Sequence, residues 1–105
     1  MSETEDSPNE LELAFMKAES GGETVSLDLH GMAADQAEAA MDRSLNSEFM
    51  SGHRFLRIIH GKGTGRLQQA VEKFLSVHPL VDGWRPSSVS GEQGAVIYVI
   101  LAEKE

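Results

Sequence analysis

Val25-Ser26-Leu27-Asp28-Leu29-His30-Gly31 alternates apolar and polar residues, then stops at a histidine followed by a glycine. A period of two is the mark of a half-buried strand. It puts Val25, Leu27 and Leu29 on one side and Ser26, Asp28 and His30 on the other, so Asp28 and His30 share a face. From Ala34 the period lengthens. Ala34, Ala37, Met41, Leu45 and Phe49 recur at spacings of three and four, one face of a helix. Asp35 and Glu38 sit near its start, where carboxylates complement the helix dipole, and Gly52 ends it.

The same passage recurs further along. Arg54-Phe55-Leu56-Arg57-Ile58-Ile59-His60 predicts a second strand, again closed by histidine and glycine, here His60-Gly61-Lys62-Gly63-Thr64-Gly65. Its alternation is imperfect and leaves the direction of His60 open. The following helix is cleaner: Leu67, Ala70, Val71, Phe74, Leu75 and His78 form one stripe, and Pro79 closes it. Residues 81–86, around Trp84, predict a short strand, and Ser87 to Gly94 has loop composition. Val96-Ile97-Tyr98-Val99-Ile100-Leu101 is apolar without alternation, as a strand central in its sheet would be. The order is strand, helix, strand, helix, strand, strand. Right-handed crossovers that proceed in one direction along the sheet put both helices on one face, giving a two-layer α/β domain over residues 23–105.

Residues 1–22 read differently. Ser, Glu, Asp, Pro and Asn dominate the first ten, and Gly21-Gly22 sets the stretch apart. Leu11, Leu13, Ala14, Phe15 and Ala18 suit a short amphipathic helix that is marginal alone. The expectation is therefore a mostly disordered acidic arm, with a docked helix as the alternative.

With 105 residues, 40% of them hydrophobic, the chain suits one domain with one modest core. Having no cysteine, it has no disulfide framework, thiolate zinc site or cysteine nucleophile. No apolar run approaches the roughly 20 residues of a membrane span, and the acidic start is wrong for a secretory signal. A soluble cytoplasmic protein without membrane contact is expected. The net charge of −8 argues against nucleic acid until its distribution is read. Residues 1–23 hold seven of the 17 acids and a single base, while residues 53–73 hold five bases (Arg54, Arg57, Lys62, Arg66, Lys73) and one acid, Glu72. Local sign governs a partner that approaches one face.

The glycine-rich segment is neither a Walker A loop, which ends in Gly-Lys-Ser/Thr, nor a dinucleotide fingerprint, because Arg66 stands where the last glycine belongs. Its chemistry still favours an anion over a plain strand-to-helix turn. Glycines permit close backbone approach, consecutive N–H groups converge on oxyanions, and the next helix begins with unpaired donors. Thr64 is placed to cap that helix. Lys62 and Arg66 add charge, and Arg grips phosphate through two bonds at once. His30 and His60 close parallel strands and so fall at the carboxyl edge, where α/β sheets bind ligands. Imidazole serves as base or acid near neutrality, and Asp28 is placed to orient His30. Asp28, His30 and His60 are also the candidate ligands for a metal, although Asp-x-His lacks the helical spacing of strong zinc motifs. His53 and His78 read as a turn residue and a helix-end residue.

With these residues in place, the chain resembles the small MutS-related (Smr) domain family, marked by Asp-Leu-His-Gly near its start and His-Gly-x-Gly in its middle. Here they read Asp28-Leu29-His30-Gly31 and His60-Gly61-Lys62-Gly63. Arg57-Ile58-Ile59, His78-Pro79-Leu80-Val81, Trp84-Arg85-Pro86 and Gly94-Ala95 agree as flanks, and the similarity covers 24 to about 101. The resemblance implies a mixed four-stranded sheet like that of the C-terminal domain of translation initiation factor three, with the last strand inside. It implies binding of DNA or RNA, on the ribosome in some relatives, and endonuclease activity in several members; a monomer is expected. By motif, Asp28, His30 and His60 would be catalytic, and Lys62, Gly63 and Gly65 would bind nucleic acid, joined by Thr64, Arg66 and Arg57. No resident metal is assigned, although water attack on DNA would suit a divalent ion, Mg or Mn. A binding module for nucleic acid or ribosome without chemistry is the alternative. Two departures stand out. Met32-Ala33-Ala34 replaces a capping hydroxyl residue, and Val99-Ile100 stands where a glutamate is common.

Overall fold

The computed structural model describes residues 9–21 and 23–104. In chain order its elements are α1 (Glu10–Glu19), β1 (Thr24–Asp28), α2 (Ala34–Met50), β2 (Phe55–Ile59), α3 (Arg66–Val77), β3 (Val81–Pro86) and β4 (Val96–Leu101). The four strands form one mixed sheet in the order β1-β2-β4-β3. β1 and β2 are parallel, and β4 runs antiparallel to both β2 and β3. The first crossover, through α2, joins neighbours. The second, through α3, skips one place, and β4 fills it.

Alternation in the strands decides what lies on each face. Leu56 and Ile58 of β2 and Ile97, Val99 and Leu101 of β4 point to one side. There they meet Ala37, Ala40, Met41 and Leu45 of α2 and Val71 and Leu75 of α3 in one buried cluster. Both helices thus cover the same face, as expected. Only half of a capping arrangement starts α2: Gln36 Oε1 accepts the Ala33 N–H at 3.1 Å, and the Ala33 side chain returns nothing.

Residues 10–19 correct the expectation of a disordered arm. They form α1, capped by Asn9, whose Oδ1 accepts the Glu12 N–H at 2.7 Å. Docking supplies what the isolated segment lacks. Phe15 and Ala18 are buried against Val96, Tyr98 and Ile100, with Phe55 and Ile59 alongside, on the sheet face away from α2 and α3. Arg85 of β3 fastens the helix: its Nη2 lies 3.1 Å from Glu19, and its guanidinium sits 4.6 Å from the centre of the Phe15 ring. Leu11 rests on Gly83, where a Cβ would come within 2.8 Å of its Cδ2. The two-layer domain therefore carries a third, partial layer. The remainder of the expected arm, residues 1–8 and Gly22, lies outside the described residues.

Candidate active site

Parallel pairing fixes where the two histidines fall. Asp28 is level with Ile59, and the Leu29 N–H donates to the Ile59 carbonyl at 2.7 Å. Both strands therefore release the chain at the same carboxyl edge of the sheet. There His30, Gly31, Met32 and residues 60–68 line an open cleft of about 400 Å³.

On one rim, Asp28 Oδ1 accepts the backbone N–H of His30 at 3.0 Å and its ring Nδ1–H at 2.7 Å. A carboxylate only accepts, so the neutral imidazole carries its proton on Nδ1 and leaves the Nε2 lone pair for solvent or substrate. The ring bond first, and the backbone N–H second, hold the Asp28 carboxyl below its ordinary value of 3.8. The His30 side chain is 70% exposed.

His60 is the opposite case, buried to 5% exposure. It lines the cleft from just beyond the end of β2. Its Nδ1–H donates to the Gly61 carbonyl at 2.7 Å, so Nε2 is again the unprotonated nitrogen of the neutral ring. Its backbone N–H and that of Gly61 both donate to the carbonyl of Ala95, at 2.9 and 3.1 Å. Gly61 has a φ of +81°, and a Cβ there would lie 3.2 Å from the Cβ of His30. Glycine is required both by that backbone and by the close approach of the two turns.

Beyond Gly61 the donors open. Among the described residues, the amides of Lys62, Gly63, Thr64 and Gly65 have no protein acceptor, and the first turn of α3 begins only with Gln69 N–H to the Gly65 carbonyl. Gly65, with φ +92°, occupies the cap position expected for Thr64, because that left-handed backbone suits glycine. The Thr64 hydroxyl instead takes a long contact, 3.4 Å, from the Arg66 N–H. Lys62 and Arg66 line the cleft with no ion pair among the described residues.

Arg57 does not join them. It lies between Leu56 and Ile58, so it projects from the α1 face. There its Nε and Nη2 reach Glu92 Oε2 at 2.9 and 2.8 Å, and its Nη1 reaches Ser26 Oγ at 3.1 Å. Arg54 is likewise engaged by Asp82 and Glu103. The basic run of the sequence thus contributes two cations to the cleft. Three wall residues escaped the sequence reading: Met32, Leu67 and Gln68. Leu67 reads as core from its helical spacing, and nothing in the sequence marks the other two. His78 joins the helices through Asp42, and His53 pairs with Glu48; neither lines the cleft.

No three His, Asp or Glu side chains converge among the described residues. Asp28 and His30 spend atoms on each other, and His60 spends Nδ1 on a carbonyl.

The sequence profile of the Smr domain matches residues 27–102. Endonuclease MutS2 of Caldicellulosiruptor saccharolyticus is 45% identical over 74 residues, which is 70% of this chain and 9% of that protein. Endonuclease MutS2 of Synechocystis is 38% identical over 76 residues, again 70% of this chain and 9% of that protein. The chain therefore spans about a tenth of the length of these curated relatives. The crystal structure of the Smr domain of Thermus thermophilus MutS2 superposes with a TM-score of 0.72 at 29% identity, covering 74% of this chain and 98% of that one. YdaL, a stand-alone small MutS-related protein from Escherichia coli, shares the fold with a TM-score of 0.73 at 20% identity, covering 85% and 74%.

Proposed function

The chain belongs to the Smr domain family, and from that premise we propose that its cleft cleaves phosphodiester bonds in DNA or RNA, as an endonuclease. The single observation that carries this reading is the meeting of two kinds of group in one cleft. An imidazole oriented by a carboxylate stands across from a turn of unpaired amides flanked by Lys62 and Arg66. The first is the equipment of proton transfer; the second is that of phosphate capture. That the MutS2 relatives are themselves named endonucleases agrees with it.

In the reaction, the amides of 62–65 and the two cations receive the non-bridging oxygens and stabilise the charge that grows on them. His30 Nε2 takes the proton from the attacking hydroxyl, either water or, in RNA, the ribose 2′-hydroxyl. Asp28 keeps the ring turned and balances the imidazolium. The new oxygen–phosphorus bond forms, the bond to the leaving oxygen breaks, and that oxygen takes its proton from His60 Nε2–H in the protonated ring.

The test is product analysis with end-labelled RNA and DNA of the same sequence, each in magnesium, manganese or EDTA. Internal cuts that disappear in His30→Ala are the expected result. A 2′,3′-cyclic phosphate end identifies the ribose hydroxyl as nucleophile. Intact substrate beside saturable binding would replace this reading with that of a binding module.

A further inference from the structure

Glu92 plays no part in the cleft itself, yet it has the most saturated carboxylate of the described residues. It sits in the loop between β3 and β4, on the α1 face of the sheet. Its Oε1 accepts from Ser87 Oγ at 2.8 Å and from Tyr98 OH at 3.0 Å. Its Oε2 accepts both Nε and Nη2 of Arg57, at 2.9 and 2.8 Å. Those partners come from the loop's own start, from β4 and from β2, so one side chain ties the loop to the two central strands. The backbone carries the tie onward. The Glu92 carbonyl accepts the Ala95 N–H at 3.0 Å, and the Ala95 carbonyl accepts the N–H groups of both His60 and Gly61. Val89 and Ala95 also pack into the cluster centred on Phe15 and Tyr98.

We propose that Glu92 is a positioning residue for the cleft: by locking the 87–95 loop to β2 and β4, it fixes the Ala95 carbonyl that holds the His60–Gly61 turn opposite His30. The geometry gives this a reason. Past Ile59 the chain leaves the ladder, and the doubly accepting Ala95 carbonyl is what retains the next two amides. Gly61 approaches the His30 Cβ closely, so a loosened turn changes the separation of the two imidazoles. Burial disfavours the Glu92 carboxylate, and the bonds from Ser87, Arg57 and Tyr98 outweigh that and hold it below its ordinary value of 4.5. It therefore stays ionised, with all four donors engaged, throughout the neutral range.

The consequence for catalysis rests on the cleavage reading, while the positioning itself does not, and the experiment separates them. Amide hydrogen exchange is followed in the wild type, in Glu92→Ala and in Tyr98→Phe, which removes one donor without changing shape. The expected result is exchange at His60 and Gly61 faster by about tenfold or more in Glu92→Ala, through local opening, with Leu29 N–H, bonded to Ile59 on the far side, following only global stability. Tyr98→Phe shifts the same two amides in the same direction by less, and decides the matter where Glu92→Ala does not fold. With cleavable substrate, kcat falls by about 10- to 100-fold with KM little changed. Exchange at His60 and Gly61 that rises no more than at Leu29 overturns the proposal. Loosened amides with kcat unchanged confine Glu92 to a structural role and overturn it too. Loosened amides in a chain that cuts nothing would instead remove the cleavage reading and leave the positioning standing.

Discussion

Asp28 is two residues from His30, and that spacing does two things at once. In a strand it places both side chains on one face, and at the strand's end it lets one carboxylate oxygen take both the backbone and ring N–H of His30. The pair is exposed, so its contribution to stability is small; its value lies in selecting a tautomer. Asp28→Asn replaces an acceptor with a group that presents either face to Nδ1. We expect cleavage to fall by about 10²–10⁴ in either Asp28→Asn or His30→Ala, with the melting temperature unchanged and binding of the substrate retained. Rates and melts of the two variants check this. The pairing was legible in the sequence because it depends only on alternation. The direction of His60 was not, because Ile58-Ile59 blurs the period just before it, and the Ala95 carbonyl that holds it comes from a loop remote in sequence.

At the scale of elements, β4 tells the most. All six of its residues are buried, and an apolar run of that kind needs cover on both faces. α2 and α3 cover Ile97, Val99 and Leu101; α1 covers Val96, Tyr98 and Ile100. The demand for a second cover was thus written in residues 96–101, while the segment that meets it reads as marginal alone. Docking overrides weak propensity. Arg57 shows the reverse: its charge suits a phosphate set, but Glu92 and Ser26 hold its guanidinium outside the cleft. Phe15→Ala tests the role of α1 and is expected to cost about 3 kcal/mol, as for a buried phenylalanine. Chemical denaturation reads this, and α1 amides exchanging freely would accompany it.

For the whole molecule, a net charge of −8 coexists with a cleft that holds two cations, Lys62 and Arg66. The other arginines of the sheet are spent on acids: Arg54 on Asp82 and Glu103, Arg57 on Glu92, Arg85 on Glu12 and Glu19. Affinity for nucleic acid should accordingly depend on salt only modestly. Lys62→Ala is expected to reduce the slope of log K against log salt by about 0.7–0.9, and Arg54→Ala, whose guanidinium lies outside the cleft, to leave it unaltered; titrations at several salt concentrations decide. Acid acts through Glu92. Its folded value lies below 4.5, so its contribution to stability is present above that pH and is lost as pH falls through the folded value. The stability gap between wild type and Glu92→Gln is therefore expected to narrow in melts taken below pH 4.5.

Cleavage as proposed requires one phosphate to meet both imidazoles and the glycine-rich turn together. Nuclear magnetic resonance of the wild-type chain, titrated with an uncleavable phosphorothioate oligonucleotide, observes all of these groups at once. The ring signals of His30 and His60 and the amides of 62–65 are expected to shift along one binding curve. Amides that saturate while both rings stay still, or shifts gathered on α1, Arg57 and Glu92 instead, would contradict this.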